Sequence, residues 1–388
     1  MRIGLLCHNG IGGSVRIACT LASELAQRGH SVHLMARRPP VADWLSESGV
    51  ALHTLLPPVN GGLPVGLNVE WSSNEQAEFR SFVAGVARSE QLQVLHAHYA
   101  VPFAHVAASL APGLGEAGPM TVATLHGTDV SIHGRQPAQR RLLSESLHAL
   151  AAVTTVSHHH ARLARHVFAL DEPPLVIPNF IDITRFKPTQ SPHRGRPRIA
   201  HVSNFRDVKD PRSLAHIFLA VRERIDAELW LVGDGPRLPA LRALLSGSGA
   251  GGAVRFLGAT TDVAPILHET DLLLMTSVAE SFCVAAAEAM ASGIPVVATR
   301  VGGVPEVVDD GTSGHLFPVG AHDSTADAVA ELLTRPLLCR RVGSAARRQA
   351  ARFACERIVP LYEKLYGDLV DRGARDDRPS RHVGEVRM

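Results

Sequence analysis

Residues Thr276 to Val308 read TSVAESFCVAAAEAMASGIPVVATRVGGVPEVV, and their order decides how the chain folds. The apolar run Leu272 to Met275 predicts a strand that gives way at Ser277 to a polar loop holding Glu280. A small-residue helix follows, built on Ala285, Ala286, Ala287, Ala289 and Ala291, so its backbone can come close to a neighbour or a ligand. It carries Glu288, with seven residues between the two glutamates. Gly293-Ile294-Pro295 stops the helix and a β-branched strand resumes. In a doubly wound sheet, ligands collect where strand carboxyl ends meet helix amino ends, because free N–H groups and the helix dipole favour a phosphate there. Glu280 and Glu288 would flank that spot. On an ordinary crossover both would simply face water.

The same rhythm extends in both directions. Arg2 to Cys7 predicts a strand, His8 to Ser14 a glycine loop, and Val15 to Arg28 a helix with Ile17, Ala18, Leu21 and Leu25 at helical spacing. Further strands are expected at 31–36, 51–55, 94–99, 121–126, 153–157 and 175–177, then at 199–203, 228–232, 254–257, 295–299 and 315–319. Alternation of this kind implies parallel sheets with right-handed crossovers. Leu56 to Asn74 is rich in Pro, Gly and Asn and predicts an irregular excursion. Phe186 to Pro197 predicts a linker, dividing the chain into a first domain of 1–187 and a second of 188–358. Glu356 to Val370 predicts a helix that Pro360 kinks or begins, and the polar tail from Arg372 should fray.

With 388 residues the chain exceeds one ordinary core, consistent with two α/β domains. It is 45% hydrophobic and 20% charged with a net charge of +2, which gives no reason to invoke nucleic acid. Five scattered cysteines without a C-x-x-C pair suggest thiols in a reducing compartment. No run approaches the roughly 20 apolar residues of a membrane helix, and the start is too short for a signal peptide, so the expectation is a cytoplasmic protein without a membrane partner.

Several strand ends carry polar residues. The glycines of the first loop could converge N–H groups on a phosphate or carboxylate, although a lone glycine turn is more often a tight connection. Arg37-Arg38, after the second strand, would suit a ribose phosphate and keeps an NADP-dependent oxidoreductase as a rival. His96 and His98 share one side of a strand and Tyr99 takes the other; no third metal ligand is evident. Leu125-His126-Gly127-Thr128-Asp129 reads as a strand end with a capped turn, and His158-His159-His160 as a solvated helix start. Arg206 and Lys209, three apart after Ser203-Asn204-Phe205, would point the same way on a helical turn and could clamp a diphosphate. A surface pairing with Asp207 and Asp210 is the plain alternative.

The Glu280-to-Glu288 run resembles the E-x7-E segment of the retaining GT-B glycosyltransferases. HAHYAVP, TLHGTD, VTTVS, IPNFID, SNFRDVKDP, LVGDGP, FLG and VGGVPE then stand in the order and spacing of one branch, the N-acetylglucosaminyl L-malate synthases of bacillithiol biosynthesis, from about Gly4 to Gly320. The resemblance implies two Rossmann-like domains with an interdomain cleft, the last helix crossing back onto the first domain. It implies that Glu280 meets the donor sugar and Glu288 the nucleotide ribose, that His126 touches the sugar, and that Arg206 and Lys209 face the diphosphate. Asn204, Gly233, Ser281, Phe282, Cys283 and Val284 would complete the donor site, with Gly13 reaching it from the first domain. Gly12, Gly13 and Ser14, with Tyr99 and Thr128, would form the acceptor pocket.

Two residues depart from the pattern. Cys283 stands where the family usually has Gly, and Ser144 where this branch carries the arginine that meets the acceptor carboxylate; Arg140 or Arg141, one turn away, could substitute. The activity implied is metal-independent transfer from a nucleotide-diphosphate sugar, UDP-N-acetylglucosamine first, to a small carboxylate such as L-malate, with retained configuration. A GDP-sugar with a small acid or thiol acceptor is the alternative within the class, and a sugar-nucleotide epimerase one outside it. Relatives of this kind often pair, which would make a homodimer.

Overall fold

The structure, a computed structural model, describes residues 1–10, 12–58, 71–110, 118–189 and 195–374. Much of the expected excursion, part of the expected linker and the end of the tail lie outside the described residues, as does Ile11 of the glycine loop. The chain divides into two compact units, Met1–Pro178 with Glu356–Met388, and Asn179–Cys355.

In the first unit the strands are β1 (Arg2–Leu6), β2 (Ser31–Ala36), β3 (Ala51–Thr54), β4 (Val94–His98), β5 (Met120–Leu125), β6 (Ala152–Thr155) and β7 (Leu175–Val176). They pair in the order β3-β2-β1-β4-β5-β6-β7, all parallel. In the second, β8 (Arg198–Val202), β9 (Glu228–Val232), β10 (Val254–Gly258), β11 (Leu272–Met275), β12 (Val296–Thr299) and β13 (Gly314–Phe317) form a parallel sheet ordered β10-β9-β8-β11-β12-β13. Strand order reverses between β1 and β4 in one sheet and between β8 and β11 in the other. Each reversal leaves a crevice at the carboxyl ends of the flanking strands, the place where this architecture binds ligands.

Helices cover the sheet faces, so β4, β9, β11 and β12 are buried along their whole length, and β11 reads as an unbroken apolar run rather than an alternating one. Leu95, Phe79 and Phe103 anchor the first core; Ile199, Phe205, Phe218 and Leu274 anchor the second.

The chain's last described helix, Cys355–Ala374, belongs to the first unit from Glu356 onward. Tyr362 and Tyr366 are fully buried, and the Tyr366 hydroxyl bonds His96 Nδ1 at 2.6 Å. Glu363 receives His30 Nε2 at 2.8 Å and Arg28 at 3.3 Å. Pro360 lies inside this helix, so it does not mark the start. The three histidines at 158–160 correct another expectation. His158 and His159 are exposed, but His160 turns inward beneath the Ser157 cap and is held by Thr155 Oγ1 at 2.6 Å.

Candidate functional site

The crevice between β8 and β11 brings Lys209 and Glu280 together. After β8 the chain turns through Ser203-Asn204-Phe205 into a short 3-10 turn, Asp207–Lys209. Lys209 Nζ donates to Glu280 Oε1 at 2.5 Å, and Ser277 Oγ donates to the same oxygen at 2.8 Å. The two loops are stitched together. Thr276 Oγ1 donates to the carbonyls of Lys209 at 2.9 Å and Asp210 at 3.1 Å, and the Val278 N–H to that of Val208 at 2.8 Å. Thr299 Oγ1 fixes the Ser277 carbonyl at 2.5 Å.

Glycines explain how Glu280 is held. The Gly303 N–H donates to the Glu280 carbonyl at 3.0 Å, and a Cβ on Gly302, at φ +54°, would stand 1.7 Å from that oxygen. Only glycine permits this approach. Gly233 and Gly235 do the same for the β8 turn: a Cβ on either would lie 1.9 Å from the carbonyl of Ser203 or Asn204. Gly233, expected at the donor, therefore buttresses the turn that presents Asn204.

The plain readings of these charges fail. The Glu280 side chain is only 10% exposed and Glu288 is buried at 3%, so neither faces open water. Asp207 pairs with Arg237, not with Arg206. Arg206 precedes the 3-10 turn in extended conformation, so it does not share a helical face with Lys209 as the spacing suggested. Its Nε is buried without a hydrogen-bond partner, and so is Asn204 Oδ1. An orphaned buried donor or acceptor costs about 1–3 kcal/mol unless water or a ligand pairs it.

Cys283 caps the helix Val284–Ala291 at φ +79°, ψ +72°, the left-handed region in which glycine is at ease. Burial pushes its thiol up to about 12, with Glu280 raising it further, Lys209 opposing and Glu288 adding a smaller push. The Cys283 sulfur thus feels Glu280, Lys209 and Glu288 together. Phe282 is buried and its ring packs edge-on against Phe353 at 5.1 Å.

Sequence reasoning missed His201. Buried in β8, it bonds the Leu274 carbonyl through Nδ1 at 2.8 Å and Ser203 Oγ through Nε2 at 2.9 Å. The carbonyl can only accept, so Nδ1 carries the proton and Nε2 accepts from Ser203, whose Oγ takes the Phe205 N–H at 3.2 Å. Desolvation pulls its pKa to about 4 and keeps this chain of bonds intact. Nothing in its sequence neighbourhood separates it from a surface histidine.

In the first unit, Gly12 precedes the helix Gly13–Gln27 in extended backbone, setting Gly13 and Ser14 in its first turn. Tyr99 follows β4 at φ +79°, and its hydroxyl meets Thr128 Oγ1 at 2.5 Å. Asp129 caps the next turn, accepting from the N–H groups of Gly127 at 2.7 Å, His126 at 2.9 Å and Val130 at 3.0 Å. The His126 ring bonds His98 Nδ1 at 3.1 Å, and burial lowers its pKa to about 3. His96 bonds Tyr366 and Thr124 instead of presenting its nitrogens to a metal.

Arg140 and Arg141 are not gathered with these residues. Both sit on the exposed face of the helix Pro137–Ala149, and Arg141, 84% exposed, pairs with Glu145. Ser144 donates to the Phe168 carbonyl at 2.6 Å. The arginines of the dehydrogenase rival are also engaged: Arg37 with Glu75 and the Trp71 ring, Arg38 with the Pro57 carbonyl.

Known proteins match most of this chain. The description "Glycosyltransferase Family 4" fits residues 11–185 and "Glycosyl transferases group 1" fits residues 196–335. N-acetyl-alpha-D-glucosaminyl L-malate synthase of Bacillus anthracis is 32% identical across 97% of the chain and 98% of its own length. The chain belongs to the family 4 glycosyltransferases. A D-inositol 3-phosphate glycosyltransferase of Corynebacterium jeikeium is 26% identical to this glycosyltransferase across 95% of it and 94% of the relative. Its GT-B fold is shared with Anabaena Alr3699/HepE, solved with UDP-glucose, at a TM-score of 0.78 and 20% identity over 95% of this chain and 100% of that one. Sucrose-phosphate synthase from Thermosynechococcus elongatus superposes at 0.77, covering 96% and 99%. Among the described residues no helix is long and apolar enough to cross a membrane.

Proposed function

We propose that this glycosyltransferase moves N-acetylglucosamine from UDP-N-acetylglucosamine to a small hydroxy acid such as L-malate, retaining the anomeric configuration. The donor residues are those of the second unit. Arg206, whose Nε has no partner, and Lys209 face the diphosphate; Glu280 takes the sugar hydroxyls; Glu288 takes the ribose; Asn204 and the N–H groups that follow Ser281 complete the site. Departure of the diphosphate builds negative charge on oxygen, and fixed cations already in place stabilise it without reorganising. Lys209, positioned by Glu280 and the Thr276 bonds, supplies such a charge, so transfer needs no metal. The departing phosphate accepts the acceptor's proton on the same face of the sugar.

The orphaned Arg206 Nε and Asn204 Oδ1, on the same turn after β8 that presents Lys209 to Glu280, are the observation that carries this reading. The Bacillus anthracis relative supports the choice of sugar and acceptor. Ser144, occupied with Phe168, favours as the second reading a different small acid or thiol. Thermal-shift titration with UDP, GDP and ADP, followed by product mass after incubation with UDP-N-acetylglucosamine and L-malate, tests both. Stabilisation by UDP and a product heavier by one N-acetylhexosamine are expected. Stabilisation by GDP alone, or sugar loss with no acceptor product, would overturn the assignment.

A further inference from the structure

Beside Tyr99 the first unit carries an imidazole that no motif of the chain uses. His133 opens the short turn His133–Arg135 and is only 9% exposed. Its ring stands edge-on to Tyr99, centroids 6.3 Å apart at 82°, and the His8 ring approaches the same tyrosine at 5.3 Å and 78°. With Thr128 on the Tyr99 hydroxyl, these side chains form one polar group at the carboxyl ends of β1, β4 and β5.

The two imidazoles have different proton positions. His8 Nε2 lies 2.9 Å from the Val101 carbonyl, which can only accept, so its proton is fixed on Nε2, and burial holds its pKa at about 4. Its neutral form offers no cation. His133 Nδ1 lies 2.6 Å from Gln139 Oε1, an accepting atom, so His133 carries its proton on Nδ1. A second proton can only add at Nε2, which has no protein partner among the described residues. That proton creates an N–H donor with a full positive charge, a match for a carboxylate oxygen. Of the nearby arginines, Arg141 pairs with Glu145 in solvent and Arg140 lies on the same exposed helix face, and Ser144 has no charge to give.

We propose that His133, through Nε2, binds a carboxylate of the acceptor and so restricts this glycosyltransferase to small hydroxy acids. The inference rests on the reading of Tyr99 and Thr128 as the acceptor side. An anion at Nε2 favours the imidazolium form, and Gln139 keeps the ring from rotating away. His133 is thus a recognition residue for the acceptor, with no part in holding the donor.

Steady-state kinetics with UDP-N-acetylglucosamine and a panel of L-malate, L-lactate, citrate and neutral glycerol test it on the full chain. The wild type should use at least one hydroxy acid in preference to glycerol. His133→Leu should raise the KM of that acid by about tenfold or more, as loss of a charged hydrogen bond predicts, while the donor KM moves by less than about twofold. His133→Arg should recover most of the acceptor affinity and His133→Gln should not. A uniform loss in both KM values and in thermal stability would show a packing role and overturn the proposal, as would an unchanged acceptor KM in His133→Leu. Equal use of glycerol also overturns it while leaving sugar transfer standing. Absence of any UDP-sugar binding or turnover in the wild type defeats the proposed UDP-N-acetylglucosamine donor, and this inference with it.

Discussion

Replacing Lys209 by Met separates what the Lys209–Glu280 pair does for stability from what it does for transfer. Its N–O distance is 2.5 Å, with side chains 19% and 10% exposed. An exposed pair contributes about 0–1 kcal/mol, whereas removing one member of a fully buried pair costs about 3–5 kcal/mol. Here Ser277 Oγ still donates to the abandoned carboxylate, so Lys209→Met should cost about 2 kcal/mol. For a unit the size of Asn179–Cys355 that is a fall of about 4–8 °C in its melting midpoint. Glu280→Gln should cost less, since the amide oxygen can still accept from Lys209. The double variant has no stranded charge and should be more stable than the sum of the single losses by about 1 kcal/mol or more. Turnover should behave otherwise: Lys209→Met and the double variant should both lose about 100-fold or more in kcat, because neither restores the cation proposed to face the diphosphate. Calorimetry paired with UDP-sugar turnover reads the two effects. Strict additivity in stability, or recovery of activity in the double variant, would refute the coupling of these two loops into one site.

Gly302→Ala should cut turnover by about 100-fold, as the added Cβ would meet the Glu280 carbonyl at 1.7 Å and displace that loop; UDP affinity and kcat measured together check it, and a variant of normal activity would remove the clamp. Cys283→Gly removes a left-handed cost of about 1–2 kcal/mol but also loses a buried thiol and frees the unfolded chain by about as much. Its melting midpoint should therefore shift by less than about 4 °C, and a drop twice that size would show that the thiol's packing dominates. Stability should also fall in acid. His8 and His201 have folded pKa values of about 4, and His96 and His126 of about 3, all lowered by burial from 6.5. The unfolded chain therefore binds more protons below 6.5. The stability these groups contribute is whole above 6.5 and lost as pH falls towards 3–4, by up to about 1.4 kcal/mol per pH unit for each histidine. Denaturation midpoints from pH 7 to pH 4.5 should show this slope, and a flat profile would contradict it.

The βα rhythm was legible where a strand buried on both faces by helices is apolar throughout, as Leu272 to Met275 is in plain sequence, whereas in Val94 to His98 burial is kept by pairing the two imidazoles with Tyr366, Thr124 and His126. Topology made part of the site legible too. Lys209 and Glu280 are 71 residues apart, yet each follows a strand flanking the reversal of strand order, and the fold alone brings them to 2.5 Å. What escaped was whatever depends on how a side chain turns after its element ends. Spacing alone puts Arg206 on a helical face with Lys209, but its backbone is extended and its Nε is buried without a hydrogen-bond partner. Arg141 had the right charge one turn from Ser144, and the helix carries it to solvent. His160, His201 and His133 are indistinguishable in sequence from surface histidines, because a neutral imidazole is buried when one carbonyl or hydroxyl fixes its proton, and such partners come from other strands and turns. The same limit explains Gly302. Its left-handed backbone marks a turn in sequence, but the need for glycine there comes from the Glu280 carbonyl pressed against it, which joins a turn after β12 to a carboxylate after β11.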